Sequence, residues 1–128
     1  DYFINFDDLE LNVQATIAGY KIIYAPQAKM WHKVSSTMGI ASPATTYYMT
    51  RNSLLFFWRN SPGIWKYLAP LNIILRTMKI ILVWTVKNQY KDDLHRRKRS
   101  ANLFALRDFL KRQFGKMGDD VSQVCYGK

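Results

Sequence analysis

The sequence predicts a mainly α-helical chain with two short strands, an α/β arrangement in which helices dominate. Three observations predict it. Capping residues followed by proline or glutamate stand just ahead of apolar runs, as at helix starts. Beyond residue 42, leucines and aromatics recur at three- and four-residue steps. One compact run, Tyr20-Lys21-Ile22-Ile23-Tyr24, is β-branched and aromatic and is closed by Pro26, as a strand would be.

The elements follow in order. Asp7 can cap a helix N-terminus, with Glu10 three residues on in the manner of a capping box. Leu11, Ala15 and Ala18 continue that helix, and Gly19 stops it. The strand at Tyr20–Tyr24 comes next, then a second extended segment at Lys29–Val34 and a loop of small, polar residues at Ser35–Ala41. Ser42-Pro43 opens a helix that runs to about Arg59, and Asn60-Ser61-Pro62-Gly63 breaks it. Ser61-Pro62 can cap the next helix, Ile64–Lys87, the longest apolar stretch. Its longest uncharged run, Tyr67–Leu75, falls short of the ~20 apolar residues a span requires. Lys66, Asn72, Arg76, Lys79 and Lys87 gather on one side of its wheel, and Leu71, Ile74, Leu75, Met78 and Leu82 on the other. A wide apolar face beside a narrow basic stripe suits a helix lying in a membrane interface. Pro70 can kink it. After the basic run His95-Arg96-Arg97-Lys98-Arg99, Ser100 is expected to cap a last helix with Leu103, Leu106, Leu110 and Phe114 along one face. Gly115 ends it, and 116–128 reads as a flexible tail.

The chain of 128 residues can bury a core, and its 48% hydrophobic content argues against disorder. Its net charge of +10 is uneven. Residues 1–50 hold four acids and three bases; residues 51–128 hold five acids and sixteen bases. A cationic rear half favours phosphate-bearing partners. The single cysteine, Cys125, excludes an intrachain disulfide and a thiolate metal cluster, and it fits a reducing compartment.

Three carboxylates, Asp7, Asp8 and Glu10, crowd the start of the first helix, and His32 follows 24 positions after Asp8. Taken singly, each has a plain structural role. Asp7 can be only a cap, Glu10 only its partner, and Asp8 only a favourable charge at the helix dipole. A lone histidine after an aromatic is usually structural.

Four segments in order change that reading: Phe-Asp-Asp-x-Glu-Leu from Phe6, Ala-Gly-Tyr-x-Ile-x-Tyr-x-Pro-x-Ala from Ala18, Trp-His-Lys-x-Ser from Trp31, and Tyr-Tyr-x-x-Arg-Asn from Tyr47. Together they resemble the C-terminal half of the catalytic domain of family 2 glycosyltransferases, in the rhamnosyltransferase-like and galactofuranosyltransferase-like branch. The likeness is good over residues 2–58 and weaker over 61–115. It implies an α/β GT-A-type fold, with 1–60 the C-terminal half of the catalytic domain, 61–115 basic amphipathic helices and 116–128 a tail. It also implies a chain that is part of an enzyme and inactive alone.

The resemblance implies roles as well. Asp8 is the general base, Asp7 and Glu10 lie on the acceptor side, and His32 helps hold Mg²⁺ or Mn²⁺ on the donor diphosphate. The other metal ligands and the nucleotide pocket are expected in a preceding half. Arg51 and Asn52 support the site. The donor is a nucleotide-sugar and the acceptor a glycan or lipid-linked hydroxyl, as in cell-surface polysaccharide synthesis. The chemistry is consistent: an attacking hydroxyl needs a proton acceptor within hydrogen-bond reach, and a divalent cation neutralises a departing diphosphate.

For the basic rear half three readings compete: attachment to an anionic membrane surface, nucleic-acid binding, and packing on another domain or a second copy. No zinc spacing, helix-turn-helix signature or RNP-like motif supports nucleic acid. The expected location is cytoplasmic, peripheral on the inner face of the membrane. A non-enzymatic membrane-surface or scaffolding module, its acids serving only as caps, is the alternative.

Overall fold

The computed structural model of the chain describes residues 1–31, 39 and 41–127. Its helices are α1 (Asp7–Ile17), α2 (Pro43–Asn60), α3 (Trp65–Val86), α4 (Asp93–Leu110) and α5 (Asp119–Tyr126), with a short 3-10 turn at Asn88–Tyr90. The described residues contain no strand, which overturns the α/β GT-A-type fold and the expected strand at Tyr20–Tyr24. The reason is physical. A strand is stable only when a neighbour pairs its backbone donors and acceptors. Residues 20–31 are exposed throughout and form no ladder with any described segment. Tyr20–Tyr24 therefore has the composition of a strand without a partner. Of Lys29–Val34, residues 29–31 belong to no element, and the rest lies outside the described residues.

Helix α2 is the centre of the fold and packs against α3, α4 and α5. It begins as its sequence demands. The Ser42 hydroxyl accepts from the Thr45 amide at 3.1 Å, and Pro43 occupies the first turn, where its missing N–H costs nothing. Leu54 and Leu55 are fully buried, each contributing roughly 1.5–3 kcal/mol of hydrophobic stabilisation. The main core joins Ala44, Tyr47 and Tyr48 of α2 to Ala101 and Ala105 of α4 and to Met117, Val121 and Cys125. Three alanines at the α2–α4 contact let the two backbones approach closely.

Two expectations about the rear half are corrected. Ser100 caps nothing, because α4 starts earlier, at Asp92, whose side chain accepts from the His95 amide at 3.0 Å. The basic run therefore lies inside a helix. The expected tail at 116–128 instead contains α5, whose Val121 and Cys125 are buried with Met117. Arg97 of α4 fastens it, donating to the Val124 and Cys125 carbonyls at 2.9 and 2.7 Å. Those carbonyls at a helix C-terminus have no partner within the helix, and a guanidinium suits them.

Helix α3 starts without a side-chain cap, preceded by Ile64 rather than Ser61. It packs on α2 and α4 along one side, where Pro70 and Thr77 are buried. By length and composition alone it is long and apolar enough to cross a membrane, which corrects the expectation drawn from its short uncharged run: the whole 22-residue helix, charges included, meets that test.

Candidate functional site

The carboxylate helix α1 buries none of its own residues, so the segment before it must set its position. That segment, residues 1–6, crosses α2. Phe3 stacks on Tyr48 with centroids 5.6 Å apart, and Phe6 meets Phe56 at 5.5 Å. Asp1 pairs with Arg59 and accepts from the Gly115 amide through its carbonyl at 2.6 Å. The chain then turns through two successive left-handed residues, Asn5 (φ 65°) and Phe6 (φ 68°), before α1 begins. Non-glycine residues in this region cost of order 1–3 kcal/mol each and persist only where their surroundings hold them.

Asn52 does the holding. It is wholly buried, and its amide donates to the carbonyls of Ile4 at 2.8 Å and Asn5 at 3.2 Å. Its own oxygen accepts from Arg51 Nε at 3.1 Å, which fixes the amide's orientation. Arg51 is 1% exposed. Its guanidinium lies over the rings of Tyr47 and Tyr48, at 5.0 and 5.2 Å. It donates to the Tyr47 hydroxyl at 2.9 Å and to the Gly115 carbonyl at 2.6 Å. Tyr47 passes the connection on, donating to the buried Asp108 at 2.7 Å. Burial, together with the hydrogen bond to Asp108, raises the pKa of the Tyr47 hydroxyl, against the smaller opposing pull of Arg51. Asp108 also takes the Arg107 guanidinium at 2.7 Å, and Arg107 reaches Asp120 at 2.6 Å. A polar chain thus runs from α5 through α4 and α2 to the turn that launches α1.

The three acids at the start of α1 are not equivalent. Asp7 and Asp8 are exposed on the first turn. The expected capping box does not form. The N-cap position belongs to Phe6, no side chain caps the helix, and Asp7 is its first residue. Among the described residues, Asp8 Oδ1 accepts from its neighbour, the Leu9 amide, at 2.9 Å. Glu10 is half-buried and tied down. It accepts from Asn60 at 2.7 Å, from the Tyr2 hydroxyl at 3.2 Å and from Gln14 at 3.2 Å. Burial and the neighbouring Glu10 charge raise the Tyr2 pKa. Glu10 therefore tethers α1 to the end of α2, whereas Asp7 and Asp8 are exposed.

The structure brings Asn52 to the base of the carboxylate turn, and Arg51 behind it. His32 lies outside the described residues. No three His, Cys, Asp or Glu among the described residues gather closely enough to hold a metal ion, so these residues do not make a Mg²⁺ or Mn²⁺ site by themselves. Sequence reasoning missed Asn60, Tyr2, Tyr47 and Asp108. The signal for one of them was present, since Tyr47 and Arg51 are one helical turn apart. Asp108 gave none, because it lies opposite the Leu103, Leu106 and Leu110 stripe that the sequence marks as apolar. No family model, curated protein or solved structure matches the chain.

Proposed function

We propose that this chain supplies the acceptor side of an inverting glycosyltransferase, with Asp8 as the base. The acceptor hydroxyl of a glycan or lipid-linked sugar attacks the anomeric carbon of a nucleotide-sugar. As the new C–O bond forms, the hydroxyl proton passes to the Asp8 carboxylate, and the bond to the nucleoside diphosphate breaks on the opposite face. Asp7, one position earlier on the same exposed turn, is placed to hydrogen-bond other acceptor hydroxyls. Glu10 keeps the helix in place, and Asn52 and Arg51 fix the turn beneath it.

The observation that carries the reading is the clamp from Asn52 to the carbonyls of Ile4 and Asn5. A buried network holds two strained residues so that a pair of carboxylates stands exposed at a helix start. Among the described residues no side chain caps α1: Asp7 bonds no first-turn amide, and Asp8 reaches the adjoining Leu9 amide at 2.9 Å. The test is Asp8→Asn in the protein as naturally encoded, with sugar transfer as the readout. Loss of about 10²–10⁴-fold is expected for a missing general base. Transfer that survives within about tenfold overturns the assignment.

A further inference from the structure

We propose that one side of the α3–α4 pair is a docking face for an anionic lipid bilayer. This rests on observations separate from the carboxylate helix and stands or falls independently of sugar transfer.

The two helices run antiparallel and share one outward side. At one end, Tyr67, Leu71 and Ile74 of α3 form a groove of about 300 Å³ with Phe109 and Leu110 of α4. At the other end, Arg99 of α4 donates to the Thr85 hydroxyl of α3 at 3.4 Å. Leu71, Met78 and Thr85 follow one another at seven-residue steps, so Met78 lies on the side that the groove and this bond define. Leu103 lies between Arg99 and Leu110 on the same stripe of α4. Leu71, Met78, Leu103 and Leu110 are all about half exposed or more. The apolar strip continues around α3 through Leu75 and Leu82, 59% and 63% exposed. A surface of this kind signals an interaction.

Charge decides the occupant. Cations stand at both ends of the face. Lys66 and Arg112 flank the Trp58 ring at 5.5 and 5.6 Å, on the rim of the groove, and Arg99 closes the far end. Arg76 and Lys79 border the strip on α3, which contains no acid; no Asp or Glu occurs anywhere between Glu10 and Asp92. A second copy would set these same cations against each other. A bilayer with anionic headgroups accepts the apolar strip among its acyl chains and meets the cations at its phosphates.

Vesicle flotation of the purified chain tests this, using phosphatidylcholine alone and phosphatidylcholine mixed with phosphatidylglycerol. The chain is expected to float with the mixed vesicles only and to be released by high salt. Lys66→Gln with Arg112→Gln should weaken binding about thirtyfold, as two cations at ~1 kcal/mol each would. Leu71→Ser with Met78→Ser, both at exposed positions, should abolish it while circular dichroism shows the helices intact. Equal binding to neutral vesicles, binding that resists salt, or no flotation together with a solution dimer overturns the proposal. The salt titration needs no variant and so does not depend on any variant folding.

Discussion

The buried Asn52 amide donates to the Ile4 carbonyl at 2.8 Å, and through that bond α2 dictates where the carboxylates of α1 stand. Asn52→Ala strands the Ile4 and Asn5 carbonyls and the Arg51 Nε donor. The expected cost is about 1–3 kcal/mol in urea denaturation, the usual penalty for an orphaned buried polar group. Amide hydrogen exchange should rise through residues 4–17 and stay unchanged in α4. Uniform loss of protection across all helices would show that the clamp is merely part of the general core.

Arg51 is a buried charge whose compensation is relayed through Tyr47 to Asp108. Arg51→Leu removes the cation and leaves the Gly115 carbonyl and the buried acid poorly satisfied, so a loss of about 3–5 kcal/mol is expected. Tyr47→Phe deletes only the relay and should cost less. If the two variants have the same urea midpoint, the relay carries all the stabilisation, contrary to this account.

Asp92 and Ser100 make opposite predictions from sequence and from structure. Asp92 caps α4, and its pKa is lowered by the hydrogen bonds it accepts from His95, the backbone amide first. Ser100 sits in the middle of that helix. Asp92→Ala should lower the thermal midpoint, and Ser100→Ala should leave it unchanged. The reverse result would place the helix start where the sequence reading put it. Ser42→Ala, at the cap of α2, should cost about 1 kcal/mol.

Burial pushes the Cys125 thiol from 9.0 up to about 11. The unfolded chain therefore loses this proton at lower pH than the folded chain. Stability is fully present below the unfolded value and falls as pH rises through the folded one, by about 2–3 kcal/mol from this group. The raised Tyr47 pKa acts in the same direction at still higher pH. Urea midpoints measured across the alkaline range should fall, and Cys125→Ala should flatten the part between pH 9 and 11. A midpoint that rises there would reverse the sign of the argument.

The legible parts of this fold were those set by neighbouring residues. Ser42-Pro43 and Asn60-Ser61-Pro62 mark both ends of α2 because caps and prolines act locally. Tyr20–Tyr24 was misread because a strand requires a partner, and partnership is not written in the strand itself. Helix α5 was misread as a tail, although Met117, Val121 and Cys125 repeat at four-residue steps. Two such steps are too short to stand out without the core that these side chains join. At the candidate site, the exposure of Asp7 and Asp8 follows from their place on the first turn. The tethering of Glu10 by Asn60 does not, since fifty residues separate the pair.

Arg51 grips the Gly115 carbonyl while the residue beside it grips the turn at Ile4. The surface connection at 111–118 is therefore a connection of fixed length. Lengthening it by even a residue or two would displace the Gly115 carbonyl and, with it, the side chain that orients Asn52. The exposed stretch at 21–31, which no described helix packs against, should accept extra residues freely. Libraries of short insertions at these two places would sort surviving from failing variants by position alone.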